Sequence, residues 1–162
     1  MRRWTQALSE TYLPHFPHPN MHVLLLTEDS ADPRLFKESV TDLRFDYSFT
    51  ACKSVAEVWA KLTSRQMPLP SLIFVDFELS KVYGHQLVQT LKQTDELKTA
   101  PVIMVGEYAE QEEIVATYLL QVSCFVVFPR EPDLRRKKIK ACLEFWTTYA
   151  ELPQLRRWWD TA

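Results

Sequence analysis

Short, unbroken apolar runs recur along this chain: "HVLLLT" at 22–27, "SLIFVD" at 71–76, "APVIMVG" at 100–106 and "CFVVF" at 124–128. A strand with one wet face alternates apolar and polar residues, whereas a strand that is apolar throughout has to be covered on both faces. A sheet of such strands therefore needs helices on each side, and the intervening segments provide them. Leu35, Phe36, Val40 and Leu43 stand at helical spacing, as do Val58, Trp59 and Leu62 within 55–64, and Leu87, Val88 and Leu91. Helical segments are also predicted over 110–121 and from about Asp133 to Tyr149, where Ile139, Leu143 and Trp146 form one core stripe. "DYSFTACK" (46–53) alternates weakly and reads as an outer strand. Five strands alternating with five helices give βα units with right-handed crossovers, an α/β fold built on a doubly wound, five-stranded parallel sheet.

At 162 residues the chain suits one domain. Residues 1–20 carry Pro14, Pro17 and Pro19 and read as an N-terminal arm, 21–149 as the domain and 150–162 as a tail. Only two glycines occur, Gly84 and Gly106, so neither a GxGxxG turn nor a Walker loop exists to bring backbone against phosphate. Cys52, Cys124 and Cys142 lack CxxC spacing and read as reduced thiols of a cytoplasmic protein. The start has no apolar secretory segment, and no run approaches the roughly 20 residues of a membrane helix. A net charge of -2 gives no general case for nucleic acid. "LRRKKIK" (134–140) is basic but has no interleaved aromatics for base stacking, so it reads as a solvated or partner-docking face. Its cations oppose the dipole at a helix start and call for an acidic partner surface, in a second subunit for example. His15, His18 and His22 lack metal-site spacing and read as loop histidines; His85 reads as incidental.

In sheets of this kind the functional crevice lies at the carboxyl ends of the strands. The first strand runs into Thr27-Glu28-Asp29, the third into Asp76-Phe77-Glu78, the fourth into Gly106-Glu107 and the fifth into Phe128-Pro129. An unpaired charge at the end of a buried strand is costly. Glu28, Asp29 and Asp76 would meet at one end of the sheet, where like charges raise one another's pKa unless a cation neutralises them. Oxygen ligands open to water suit Mg²⁺. Such an ion would draw a phosphoryl group toward Asp76, a natural nucleophile for an aspartyl-phosphate. The simpler reading leaves the acids solvated, with Asp29 as a helix cap.

Taken together, "VLLLTEDS", "LIFVDFELSKVYG", "APVIMVG" and "CFVVFP" resemble the receiver domain of two-component response regulators, over residues 21 to about 146. "LKQTDELKTAPVIM" and "CLEFWTTYAELP" further resemble the stand-alone receivers that serve bacterial phytochrome kinases, whose last helix carries a Phe-Trp pair and runs into a Leu-Pro arm. The resemblance implies a flavodoxin-like sheet of order 2-1-3-4-5. It implies Asp76 as phosphoacceptor, Asp29 and Asp76 as direct Mg²⁺ ligands, Glu28 acting through water and the Glu78 carbonyl as a further ligand. It implies signalling by protein contact rather than enzymatic turnover, with a sensor histidine kinase, a bacteriophytochrome among them, as partner. Homodimerisation through the last helix and tail, by Phe145, Trp146, Trp158 and Trp159, is expected on the same grounds and because paired tryptophans in a tail are hard for one copy to bury.

Two switch positions depart from the family pattern. The fourth strand ends in Gly106 where the family has Thr or Ser, and the fifth ends in Phe128 where the family has a Lys that pairs with the phosphoryl group. Charge-assisted hydrogen bonds of that kind are worth roughly 1.5–3 kcal/mol each. Phosphorylation is therefore expected to be weakened or lost, with Lys81 or Arg130 as candidate stand-ins for the missing cation. Phe125 fills the place of the switch aromatic with no hydroxyl to follow, and the Phe128–Pro129 bond is expected to be cis as in the family. Two other functions compete. One is a phosphorylation-independent pseudo-receiver scaffold. The other is a haloacid-dehalogenase-type phosphatase, for which Asp76-Phe77-Glu78 has the right spacing of acids but stands on the wrong strand. The stretch after the last helix is too short for a DNA-binding output domain.

Overall fold

The computed structural model describes residues 21–29, 32–41, 47–83 and 85–153. The four apolar runs and the weakly alternating segment all form strands: β1 (Met21–Leu26), β2 (Tyr47–Cys52), β3 (Leu72–Asp76), β4 (Val102–Gly106) and β5 (Cys124–Val127). They pair in parallel in the order β2-β1-β3-β4-β5. Around them lie α1 (Asp32–Thr41), α2 (Val55–Thr63), α3 (Phe77–Tyr83), α4 (Gln86–Gln93), α5 (Gln111–Leu119) and α6 (Pro132–Glu144), the last followed by one π-helical turn at Phe145–Tyr149.

The period-two geometry of the strands sends alternate residues to opposite faces. Leu24, Leu26, Ile73, Val75, Val102 and Met104 pack on one side with Val58 and Leu62 of α2 and Leu87, Val88 and Leu91 of α4. Val23, Leu25, Leu72, Phe74, Ile103 and Val105 pack on the other with Phe36 of α1 and Ile139 and Leu143 of α6. Each central strand is thus buried on both faces, as its unbroken apolar run requires. Capping fixes the helix starts: Ser54 accepts the Glu57 N–H at 3.2 Å, and Glu131 accepts the N–H groups of Asp133 and Leu134 ahead of a helix that opens on Pro132.

Several expectations are corrected. Helix α3 follows β3 without a loop, an element that its seven residues are too few to announce by periodicity. The last helix is not α-helical to Tyr149, because it widens into the π turn after Glu144. Among the described residues no peptide bond is cis, so Phe128–Pro129 is trans. Trans is the intrinsic preference by about 0.5–1 kcal/mol, and in this form the Phe128 N–H reaches the Gly106 carbonyl at 2.8 Å while its ring enters the core. His22 is not a loop residue: it lies in β1, 1% exposed, with Nδ1 2.6 Å from the Ser48 hydroxyl. The N-terminal arm with His15 and His18, Leu43, and the tail tryptophans Trp158 and Trp159 lie outside the described residues.

Candidate functional site

The order 2-1-3 places β1 beside β3, so the crevice opens between their carboxyl ends. One hydrogen-bond chain ties the two tips together. Thr27, buried after β1, donates its hydroxyl to Asp76 Oδ2 at 3.1 Å and accepts the Asp29 N–H at 3.1 Å. Asp76 Oδ1 accepts the Glu78 N–H at 3.0 Å, from the first turn of α3. The carboxylate is therefore half-buried with each oxygen fixed by one donor. Burial pushes its pKa above the usual carboxylate range, and the Glu78 and Thr27 hydrogen bonds pull against that. Glu28 and Asp29 are exposed beside it; Glu28 Oε1 accepts from the Tyr83 hydroxyl at 3.5 Å. The Glu78 side chain turns outward and pairs with Lys81 at 3.4 Å, leaving its backbone as the part nearest Asp76.

The neighbourhood holds two charged residues that no sequence motif places there. Asp32, first residue of α1 and 2% exposed, accepts two hydrogen bonds on Oδ1 from Arg135, at 3.0 Å from Nε and 2.6 Å from Nη2. Arg135 is 7% exposed. Burial raises the Asp32 pKa and Arg135 opposes it, while Asp29 and Asp76 both add to the rise, so the three aspartates share one field. Arg135 likewise acts on Asp76, lowering its pKa. This corrects the reading of 134–140 as a solvated or docking face at Arg135, while Lys137 and Lys138 of the same stretch are exposed. The acidic surface its helix start demanded is Asp32 of the same chain, a contact made only when α1 packs on α6. A cation in the first turn of a helix, where the dipole disfavours it, is the one signal of this in the sequence.

The switch positions are packed rather than polar. A side chain at Gly106 would be tightly packed, since a Cβ there would stand 3.0 Å from Phe77 Cβ and 3.4 Å from Phe125 Cζ. Phe77 and Phe125 meet edge to face at 5.2 Å. Phe128 is fully buried against Phe36, with the Arg135 guanidinium carbon 5.7 Å from its ring centroid. Lys81 lies 4.5 Å over the Phe77 ring and pairs with Glu78 and Glu113. Arg130 is exposed and bonds Glu107. Phe145 is exposed on the π turn and stacks edge to face at 5.3 Å on Trp146, which is half-buried against the α6 side of the core. Among the described residues no three His, Cys, Asp or Glu side chains form a group able to hold a metal ion, and no helix is long and apolar enough to cross a membrane.

The chain is similar to known proteins over most of its length. The response regulator Rcp1 of Synechocystis is 29% identical over 136 residues, covering 81% of this chain and 92% of Rcp1. The crystal structure of the Mn²⁺-bound form of Rcp1 superposes with a TM-score of 0.73 at 25% identity, over 83% of this chain and 99% of that one. The phosphorylated cyanobacterial phytochrome response regulator RcpA superposes with a TM-score of 0.72 at 25% identity, again over 83% and 99% of the two chains. Residues 18–140 match the family of the response regulator receiver domain. With its sheet order, its acidic crevice and a match across most of its length, the chain belongs to the response regulator receiver domain family, close to the phytochrome-associated members.

Proposed function

We propose that this receiver works as a single-domain component of a phosphorelay, with Asp76 as its phosphoacceptor. The observation that carries the reading is the Asp76 carboxylate itself: it ends a buried strand at the crevice, with Thr27 and Glu78 each orienting one oxygen. In the transfer the carboxylate attacks phosphorus, an O–P bond forms, and the bond to the donor's leaving nitrogen or oxygen breaks. The donor set fits a divalent cation. Two carboxylates, Asp29 and Asp76, with the Glu78 carbonyl and Glu28 through water, would be an all-oxygen set of the kind that suits Mg²⁺, an ion that keeps several waters. When bound, the ion neutralises the acids and attracts the phosphoryl donor.

The similarity to Rcp1 and RcpA supports a phytochrome-type histidine kinase as the partner. A second copy of the chain, docked through Phe145 and Trp146 of the last helix and through the tail, is the other partner in this reading. Labelling of Asp76 by acetyl phosphate, silent in Asp76→Asn, tests the proposal.

A second reading, a scaffold indifferent to phosphorylation, is favoured by the filling of both switch positions: Gly106 is closed in by Phe77 and Phe125, and Phe128 is drawn into the core. On that reading Asp76→Asn leaves partner binding and assembly unchanged.

A further inference from the structure

The family's anion-binding cation is missing at Phe128, yet the pocket is not without a cation. Arg135 enters it from the next element, the first turn of α6, and its guanidinium covers the very ring that occupies the Lys position, 5.7 Å from the centroid. It is buried, so its charge acts through a medium that screens it little. Its nitrogens are unevenly committed. Nε and Nη2 both bond one oxygen of Asp32, whereas Nη1 stands 3.7 Å from Glu107 Oε1, an ion pair too long for a hydrogen bond. Glu107 is meanwhile held by Arg130 through its other oxygen. Among the described residues Nη1 makes no hydrogen bond, which leaves it as a donor for an incoming anion, in a fork whose planar geometry suits a phosphoryl group. Lys81 is poorly placed for that task, being held over Phe77 between Glu78 and Glu113, and Arg130 is exposed.

We propose that Arg135 is the phosphoryl-binding cation of this receiver, replacing the Lys that Phe128 displaces and extending from Asp32 and Glu107 to the anion on Asp76. This rests on Asp76 accepting a phosphoryl group. The unmodified acid field holds the guanidinium on Asp32; a phosphoryl dianion on Asp76 competes for it and shares it.

The test is the stability of the adduct. Wild type, Arg135→Gln, Arg135→Lys and the double variant Asp32→Asn/Arg135→Gln are labelled with acetyl phosphate and Mg²⁺. The labelled fraction and its decay after removal of the donor are read by intact mass, with circular dichroism confirming the fold. Because Arg135→Gln alone leaves Asp32 buried without its partner, the double variant, which replaces the ion pair by two amides, keeps the comparison interpretable. Both Gln variants are expected to lose about tenfold or more in labelled fraction or adduct lifetime, and Arg135→Lys to recover part of it. A folded Gln variant that labels as fully and as durably as wild type overturns the role of Arg135 and leaves Asp76 standing as acceptor. An unlabelled wild type overturns the phosphoacceptor reading and this inference with it.

Discussion

Gly106 shows how one residue can decide what a site is able to do. A side chain there meets Phe77 Cβ at 3.0 Å, an atom that cannot retreat without moving the backbone that follows Asp76. Restoring the family hydroxyl as Gly106→Ser is therefore an overpacking change, expected to destabilise by about 1–3 kcal/mol in denaturant unfolding; a variant as stable as wild type would show that the Phe77–Phe125 pair yields. His22 carries a second prediction. Burial lowers its pKa from 6.5 to about 4, and Nε2 is buried with no hydrogen-bond partner among the described residues. Between those pH values the unfolded chain takes up a proton that the folded chain refuses, so stability falls as pH drops from about 6.5 toward 4, by on the order of 3 kcal/mol in total. The slope of unfolding free energy against pH over that window should flatten in His22→Gln; an unchanged slope would assign the acid sensitivity to other groups. Asp76 is legible from the sequence alone, because a charge ending a four-residue apolar run needs a reason. Arg135 is not, because its burial depends on Asp32, 103 residues away in sequence.

At the scale of elements, the strands are legible because each central one is buried on both faces and so carries a continuous apolar signal. Strand β2, at the sheet edge, is only partly buried and has the weakest pattern. Helix α3 and the π turn escape the sequence for a common reason: one or two turns do not repeat often enough to show a period. The π turn has a visible consequence. It turns Phe145 and Tyr149 outward, 52% and 73% exposed, while Trp146 and Thr147 stay against the molecule. An aromatic pair half in and half out of a helix end is a fitting anchor for a second copy. On the homodimer reading, Phe145→Glu shifts the sedimentation coefficient from dimer to monomer without loss of fold. A wild type that sediments as a monomer, or a variant that still sediments as a dimer, would contradict it.

The whole molecule divides its site between two structural layers. Glu28, Asp29 and Asp76 stand at the tips of β1 and β3, as the order 2-1-3-4-5 dictates, whereas Arg135, the cation proposed for the site, stands on a helix packed on the far side of the sheet from α2 and α4. Charge neutralisation in the crevice is thereby tied to the seating of α6 on α1 through the Asp32–Arg135 pair. On the proposed function this acidic crevice receives a phosphoryl group although Gly106 and Phe128 stand at the tips of β4 and β5, where the family has polar residues. Intact mass after incubation with acetyl phosphate and Mg²⁺, with Asp76→Asn alongside and a fully furnished receiver as positive control, tests it most directly. The predicted result is one phosphoryl adduct on the wild type, absent from Asp76→Asn. No adduct under conditions that label the control receiver would contradict it and make the protein a scaffold whose signal does not pass through Asp76.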